Sequence, residues 1–355
     1  MEKATVERYE TDGHRWAASR HPIRRAEATA FGDGIEAGAL RIDVGAGDGR
    51  YTRDLGHPVI AIEPAGAMLA SLAANAADAL RVRGDLEYLP LRRGAVGGAW
   101  ANMTYHHIPQ ARLPLALADL HRALAPGAPF DLQVVHGQGE GVSPSWDDIG
   151  GRFFASWTAE PLTDALVGAG FAVEDVEVDD HVVRARGRRA DTLADTVGAG
   201  MRLLVCGLNP SIYSAECGIG FARPGNRFWP AMLAAGLATR PRDPRHALAS
   251  HGIGMTDLAK RATTASSEVS KEEYVAGASR VERLVRWLEP RVVCFVGLEG
   301  WRTAIDRSAT AGIQPEGFGG RPAYLLPSTS GLNASSRLDD LVAHFTAAAD
   351  LADRS

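Results

Sequence analysis

The chain has 355 residues, of which 45% are apolar and 23% charged, and its formal net charge is −5 at pH 7. This length exceeds what a single hydrophobic core usually supports, so we expect two domains. The composition is typical of globular proteins, and no apolar run approaches the roughly 18 residues that a membrane-spanning helix needs.

Neither the amino-terminal residues nor the cysteines indicate secretion. Residues 1–10 are polar and carry acids, without the basic stretch and apolar run of a secretory signal. The three cysteines, Cys206, Cys217 and Cys294, match neither a disulfide framework nor a metal-ligand spacing. We therefore expect a cytoplasmic protein with no metal site and no membrane association.

Charge is distributed unevenly along the chain. Residues 201–355 contain 18 basic and 15 acidic side chains, whereas residues 1–200 contain 20 basic and 28 acidic ones. The second half is therefore the better candidate for binding a polyanion such as DNA, although the excess of positive charge is small.

In the first half, short apolar runs alternate with helical stretches. This alternation predicts a parallel sheet covered by helices on both faces. Two later runs, 172–178 and 181–185, are predicted to add an antiparallel edge. The other predicted strands are 40–44, 58–63, 96–101 and 130–135, and the predicted helices are 65–79 and 114–124.

Residues 184–200 combine clustered arginines with small residues and end in Gly-Ala-Gly, a pattern that indicates a linker or domain boundary. We place the N-terminal domain at 1–190, a linker at 191–200 and the C-terminal domain at 201–355. The alternation restarts there as a second α/β unit. Its predicted strands are 203–206, 292–296 and 323–326, and its predicted helices are 244–250, 271–287 and 336–349.

A glycine-rich loop follows the first predicted strand and precedes a predicted helix. Glycines permit a tight turn and a close approach of the backbone to a ligand. Glu63 ends the next strand, where its carboxylate can accept hydrogen bonds from ribose hydroxyls. Asp85 follows the third strand and can accept a hydrogen bond from an adenine amino group. The loop contains Asp43, Gly45, Gly47 and Gly49.

These features, with Leu-Ala-Pro-Gly at 124–127, resemble the class I S-adenosylmethionine-dependent methyltransferases over residues 35–185. The resemblance implies a Rossmann-like sheet that binds S-adenosyl-L-methionine. It implies that Gly45, Gly47 and Gly49 border the methionine part of the cofactor. It further implies that Glu63 holds the ribose, that Asp85 holds the adenine, and that Leu86 packs on the adenine face.

The segment after the fourth strand leaves the methyl acceptor open. Amino-DNA methyltransferases carry Asn or Asp, two prolines and an aromatic residue there, and this chain has only Asn102 and Tyr105. Small-molecule methyltransferases often end this strand with histidines. His106 or His107 is a candidate general base near neutral pH, or alternatively a packed histidine.

Three segments of the second half carry polar and aromatic residues at strand or helix ends. The first is Gly-Leu-Asn-Pro, which puts Asn209 at the carboxyl end of a buried strand, where ligand crevices form in α/β folds. The second contains Phe221 and ends with Phe228 and Trp229, which open a helix and are predicted core residues. The third is Pro-Ser-Thr-Ser-Gly-Leu-Asn at 327–333.

In order and spacing these segments, together with 254–258 and 268–271, resemble the mismatch-specific uracil and thymine DNA glycosylase family over residues 201–345. The resemblance implies an α/β uracil-DNA-glycosylase-like fold that flips uracil, or a related base, out of G-mismatched double-stranded DNA. It implies hydrolysis of the N-glycosidic bond as a DNA-repair step, without a cofactor. Asn209 resembles the family's catalytic asparagine, which positions the attacking water.

The resemblance also implies binding roles. Phe221 is expected to stack on the flipped base, and Leu332 to fill the gap that this base leaves in the duplex. Four cationic residues, Arg223, Arg227, Lys260 and Arg261, are candidates for phosphate contacts or ordinary surface charges. The base-binding residues are Leu208, Ser214, Phe221 and Ser328, and the wedge and guanine contacts are Ser330, Gly331, Leu332 and Asn333.

The chain departs from the family at one position that affects the pocket. Ser211 replaces the glycine that usually follows Asn-Pro, so its side chain is expected to narrow or repolarise the pocket. Two alternative hypotheses remain. In one, the protein is primarily a methyltransferase whose C-terminal domain binds nucleic acid with little glycosylase turnover. In the other, both domains act on a single modified nucleobase.

Overall fold

The computed structural model describes residues 1–143, 147–333 and 336–355. The chain divides into two compact units, one of Met1–Val167 with Phe171–Ala190 and one of Gly168–Gly170 with Asp191–Ser355. Residues 191–200, where we expected a linker, are packed within the second unit. Leu193 and Asp195 are buried there, and Thr196 pairs with Met255 across an isolated bridge.

The first unit contains a seven-stranded sheet, ordered β3-β2-β1-β4-β5-β9-β8. The first five strands in this order are parallel, and β9 lies antiparallel between β5 and β8. A separate antiparallel pair joins β6 to β7. The strands are β1 Arg41–Val44, β2 Val59–Glu63, β3 Leu80–Arg83, β4 Gly98–Asn102, β5 Pro129–Val135, β6 Glu140–Val142, β7 Phe153–Ala155, β8 Phe171–Val178 and β9 Val182–Arg189.

Helices Gly66–Asn75 and Leu113–Ala123 connect β2 to β3 and β4 to β5, as the alternation in the sequence predicts. The predicted parallel sheet and its antiparallel edge are confirmed. Residues 184–189, which belong to the arginine-rich stretch that indicates a linker or domain boundary, continue β9. Alternate residues of this strand are buried, so the arginines lie mostly on its more exposed face. The helices of this unit are α1 Lys3–Ser19, α2 Arg25–Asp33, α3 Gly66–Asn75, α4 Leu113–Ala123 and α5 Ala159–Gly168.

The second unit contains a five-stranded sheet, ordered β11-β10-β12-β14-β13, in which only β13 is antiparallel to its neighbour. The carboxyl ends of β10, β11, β12 and β14 therefore lie at one edge, the edge where ligands bind in open α/β sheets. The strands are β10 Leu203–Gly207, β11 Ile253–Asp257, β12 Val292–Val296, β13 Gly312–Phe318 and β14 Arg321–Leu326.

Helices of the second unit pack on the sheet through apolar side chains. Phe228 and Trp229 belong to the buried core, as predicted, and the Trp229 indole donates a 2.9 Å hydrogen bond to the Gly220 carbonyl. Phe345 packs edge-on against Phe228 and links the last helix to this core. The helices are α6 Ile212–Cys217, α7 Phe228–Ala234, α8 Pro244–His251, α9 Lys271–Leu288, α10 Leu298–Ala304 and α11 Leu338–Arg354.

Candidate functional sites

The glycine-rich loop of the first unit lines a cavity of about 410 Å³. Gly45, Gly47 and Gly49 all have positive φ angles, of 65°, 57° and 77°. A Cβ at Gly45 would lie 1.8 Å from the Thr104 Oγ1, so only glycine fits there. Gly45 and Gly47 line the cavity, whereas Gly49 packs against Leu72 and does not.

Two buried carboxyl groups, Asp43 and Glu63, also line this cavity. The Glu63 carboxylate accepts 2.9 Å hydrogen bonds from the backbone N–H groups of Gly47 and Ala65. Asp43 accepts a 2.6 Å hydrogen bond from the Thr52 hydroxyl. Burial raises the pKa of each carboxyl to about 7, so both groups change charge near neutral pH.

The two residues expected to hold adenine, Asp85 and Leu86, are not among the residues that line this cavity. The Asp85 carboxylate accepts a 2.8 Å hydrogen bond from the Met1 amino group, and Asp85 is not among the residues that line the cavity. Leu86 is fully buried and does not line the cavity either. The structure therefore brings Glu63 together with Gly45 and Gly47 at the cavity, but not Gly49, Asp85 or Leu86.

Asn102 of β4 and Gln133 of β5, which also line the cavity, are register partners on neighbouring parallel strands. The Asn102 Oδ1 accepts a 2.8 Å hydrogen bond from Arg24, and the Gln133 Oε1 accepts bonds of 3.2 and 3.3 Å from Arg184. Both amide oxygens are therefore engaged. Within the described residues the two amide NH₂ groups have no acceptor, which leaves them as donors for a ligand.

The two histidines after β4, His106 and His107, are buried and pack against the Phe154 ring. His106 stacks on Phe154 with ring centroids 5.1 Å apart, and His107 hydrogen bonds through Nδ1 to the Phe153 carbonyl at 2.7 Å. Burial lowers the pKa of His107 to about 3 and holds the pKa of His106 well below its ordinary value. Both rings are therefore uncharged near neutral pH, which favours the packed-histidine interpretation over that of a base that titrates there.

In the second unit, the three sequence segments converge on one cavity of about 250 Å³. The first segment lies after β10, the second before α7, and the third after β14. The cavity is lined by Leu208, Asn209, Ser214, Phe221, Ser328, Ser330 and Leu332, among others. Gly331 and Asn333 belong to the same loop but do not line the cavity.

The Asn209 carboxamide is held firmly at this cavity. Its Nδ2 donates hydrogen bonds to the Thr263 hydroxyl at 2.7 Å, to the Arg261 carbonyl at 3.0 Å and to the Pro210 carbonyl at 3.2 Å. Backbone bonds from Leu258 and Ala259 to the first segment fix the chain that carries it. The orientation of Nδ2 leaves Oδ1 as the acceptor that a ligand or a water can use.

Phe221 forms an aromatic wall of the cavity. Its ring stacks on Phe228 with centroids 4.0 Å apart and planes 12° apart, and its φ angle is +57°. Ser214, nearby, is buried and its hydroxyl accepts a 3.3 Å hydrogen bond from the Ala222 amide. The Ser211 hydroxyl caps α6 by accepting a bond from the Ser214 amide, so this polar group is used in the helix cap.

Asp257, at the end of β11, is a site residue to which sequence reasoning gave no role. It is the register partner of Gly207, and a Cβ at Gly207 would lie 2.3 Å from its Oδ1. The carboxyl group is buried, lines the cavity and accepts no hydrogen bond from the described residues. Burial raises its pKa to about 6, against the opposing charges of Lys260 and Arg280.

The comparisons with known proteins agree with this division. Residues 195–350 match the family model of the Uracil DNA glycosylase superfamily, and residues 42–130 match that of a Methyltransferase domain. The methyltransferase-domain match lies within the first unit, and the match to the uracil DNA glycosylase superfamily lies within the second. Both resemblances drawn from the sequence are confirmed at this level, as is the two-part α/β fold class.

Solved methyltransferase structures align with the methyltransferase-fold half. The 1,6-didemethyltoxoflavin-N1-methyltransferase of Burkholderia thailandensis is 24% identical over 53% of this chain and 88% of its own, with a TM-score of 0.42. An S-adenosylmethionine-dependent methyltransferase of Mesorhizobium loti is 20% identical over 46% and 98%, with a TM-score of 0.38. One from Aquifex aeolicus is 18% identical over 50% and 99%, with a TM-score of 0.40.

The cationic residues of the glycosylase-superfamily region are mostly engaged within the protein. Lys260 forms a 2.8 Å ion pair with Asp195, and Arg261 forms one of 2.7 Å with Glu273. Arg223 is exposed and lines the cavity. Of the four candidates for phosphate contacts, Arg223 is therefore the best placed.

The described residues contain neither a metal-binding cluster nor a helix that could span a membrane. No cluster of three or more His, Cys, Asp or Glu side chains with the geometry of a metal site occurs in the ranges 1–143, 147–333 and 336–355. Over the same ranges, no helix has the length and apolar character needed to cross a membrane.

Proposed function

We propose that the C-terminal unit is a DNA glycosylase that excises uracil, or a closely related base, from G-mismatched duplex DNA. The observation that carries this proposal is the convergence of Asn209, Phe221 and Asp257 on one cavity. The match of residues 195–350 to the uracil DNA glycosylase superfamily supports it.

An enzyme that acts on a base within a duplex must first take that base out of the stack. The Phe221 ring offers the flipped base a stacking surface, because Phe228 covers only one of its faces. Such stacking is worth about 1–3 kcal/mol per base. Leu332, 83% exposed on the loop after β14, is available to fill the gap in the duplex.

Hydrolysis then breaks the bond between the sugar C1′ and the base nitrogen. The electron pair of this bond leaves with the base, while C1′ gains cationic character as in other glycoside cleavages. Asn209 Oδ1 accepts a hydrogen bond from the attacking water and orients it. The Asp257 carboxylate takes the proton that this water loses as its oxygen bonds to C1′, and solvent returns a proton to the departing base.

The test is single-turnover cleavage of a G·U duplex, with single-stranded uracil DNA and a G·T duplex alongside. We expect the wild type to cleave the G·U duplex and Asn209→Ala to lose that cleavage. Failure of the wild type on every uracil substrate would contradict the proposal and favour the nucleic-acid-binding alternative. Binding to a duplex with an abasic-site analogue then measures that alternative directly.

We also propose that the N-terminal unit binds S-adenosyl-L-methionine and transfers its methyl group to an acceptor. The match of residues 42–130 to a methyltransferase domain supports this, as does the cavity bordered by Gly45, Gly47, Asp43 and Glu63. Glu63 fits the ribose, since a buried carboxylate at a strand end accepts hydrogen bonds from hydroxyl groups. When bound, the cofactor supplies an electrophilic methyl group on a sulfonium.

This cavity favours methyl acceptors that carry hydrogen-bond acceptor atoms, because the amide groups of Asn102 and Gln133 line it. The histidines that line it, His106 and His107, are uncharged near neutral pH. Isothermal titration of the full chain with S-adenosylhomocysteine tests the cofactor assignment. Absence of binding contradicts it.

A further inference from the structure

Arg227 joins the second sequence segment to the loop that carries Leu332. Its guanidinium donates hydrogen bonds to the carbonyl of Ser330 at 2.8 Å, to that of Asn333 at 2.7 Å, and to that of Ser336. Its backbone N–H donates a 2.9 Å bond to the Thr329 carbonyl. The Arg227 side chain thus donates hydrogen bonds to three carbonyl groups, and the Arg227 backbone N–H donates to a fourth.

The loop is also held from its other side. A Cβ at Gly331 would lie 2.6 Å from the Gly225 carbonyl oxygen, so the loop backbone lies directly against the turn that precedes Arg227. Within the loop, the Ser330 hydroxyl accepts a 3.3 Å bond from the Leu332 amide. The Leu332 side chain, in contrast, is 83% exposed.

Carbonyl dipoles that point toward one centre repel each other unless a cation lies between them. A guanidinium suits this position because its planar fork has five N–H donors, whereas the lysine ammonium is a compact point charge. The loop conformation that exposes Leu332 therefore depends on an arginine, and a positive charge alone does not supply the same geometry.

We propose that Arg227 is a positioning residue for the wedge, fixing residues 328–333 so that Leu332 is presented before DNA is contacted. This inference rests on the proposed glycosylase function. Without Arg227 the loop must be ordered during binding, and that ordering weakens duplex opening. The chemistry on a base that is already unstacked stays intact, because Arg227 does not line the catalytic cavity.

The experiment compares Arg227→Lys, Arg227→Gln, Leu332→Ala and the double variant Arg227→Lys/Leu332→Ala in single-turnover cleavage. Substrates are a G·U duplex and single-stranded uracil DNA. We expect duplex cleavage to fall by about 10- to 100-fold in both Arg227 variants, with changes within about threefold on single strands. We expect the double variant to lose no more duplex cleavage than Leu332→Ala alone, because both substitutions impair the same wedge.

Arg286→Lys, on the exposed face of α9, is the matched control for the substitution itself. Thermal unfolding of every variant identifies a general loss of stability. Duplex cleavage by Arg227→Lys at the wild-type rate would overturn the inference, as would equal losses on both substrates or an additive double variant.

A second readout does not depend on turnover. Hydrogen exchange of the backbone amides in residues 328–333 should be faster in Arg227→Lys than in the wild type, because their anchor is lost. Unchanged exchange would overturn the inference. If the wild type cleaves no uracil substrate, the glycosylase proposal fails while this measurement still decides whether Arg227 holds the loop.

Discussion

Both cavities lie at the carboxyl edge of parallel strands, yet they differ in their buried carboxyl groups. The N-terminal cavity is bordered by two buried carboxyl groups, Asp43 and Glu63, whereas the C-terminal cavity combines a neutral amide, Asn209, with a single carboxyl, Asp257. Under the two proposed functions this difference matches the charge of each ligand. The sulfonium cofactor would be a cation, whereas the departing pyrimidine would be an anion that a second carboxylate would repel.

The two cavities are also held together differently. The glycine loop of the first unit depends on backbone shape, since a side chain at Gly45 would collide with Thr104. The asparagine of the second unit depends on hydrogen bonds that its amide nitrogen donates to three separate acceptors. Substitutions should therefore affect the first site through backbone geometry and charge, and the second through loss of a single oriented group.

The largest expected effect is at Asn209. Asn209→Ala should lower single-turnover cleavage of a G·U duplex by at least about 100-fold, because water is no longer oriented. Asn209→Asp should also lose activity, although a carboxylate is a stronger base. Its second oxygen would face the Arg261 and Pro210 carbonyls that now accept from Nδ2.

The matched control is Asn75→Ala, which removes an amide that also donates to a backbone carbonyl but lies in the other unit. It should cleave as the wild type does. Full activity in Asn209→Asp would mean that the amide orientation is unimportant, and would assign the residue a role as a proton acceptor.

The next effect concerns pH. Cleavage should require ionised Asp257, so the wild-type rate should fall as the pH drops through about 6. Asp257→Asn should be slower by about 10- to 100-fold above pH 7 and should lack this inflection. Single-turnover rates from about pH 5 to about pH 8, on both sides of the Asp257 pKa of about 6, check both points. Asp350→Asn, at an exposed position of α11, is the control. A pH inflection that persists in Asp257→Asn would assign the titration to another group.

Residues at the ends of buried central strands were predictable, because an apolar run that stops at a polar residue marks the sheet edge. Glu63 and Asn209 follow this rule, and both line their cavities. Asp257 follows it too, but one glycine precedes its strand at 252 and another lies within it at 254, so no strand was predicted there. The Thr-Asp pair that ends the short apolar run 253–257 was the sequence feature that could have predicted Asp257 at the sheet edge.

Contacts between residues far apart in the sequence were not predictable. Asp85 fits an adenine contact by its position after β3, but the Met1 amino group, 84 positions away, takes its carboxylate. Asp195 likewise lay in an expected linker, yet it pairs with Lys260 and Arg280 and packs that segment into the second unit. Such pairings are properties of the folded chain, and local sequence patterns do not contain them.

A smaller effect is expected at Phe221. Phe221→Leu keeps an apolar side chain of similar bulk but removes the ring face, which should weaken transition-state binding by about 1–2 kcal/mol, or about 5- to 30-fold in rate. Single-turnover cleavage and the fluorescence of a 2-aminopurine next to the target base measure rate and flipping separately. Leu233→Ala, on the partly exposed side of α7, is the control. An unchanged rate would mean that the flipped base stacks elsewhere.

The smallest expected effect tests the carboxyl groups of the first cavity. Burial raises the pKa of Glu63 to about 7, and only the ionised form accepts from both the backbone and a ribose hydroxyl. Affinity for S-adenosylhomocysteine should therefore increase as the pH rises through about 7. Glu63→Gln should bind about tenfold more weakly, since its NH₂ group would face the Gly47 or Ala65 N–H. Isothermal titration at several pH values measures both effects, with exposed Glu36→Gln as control.

The two sites should also differ in their pH dependence. Because burial raises the pKa of Asp257 to about 6, cofactor binding and base excision should have separate pH midpoints in the same full-length chain. A single shared midpoint would contradict the assignment of the two titrations to independent sites.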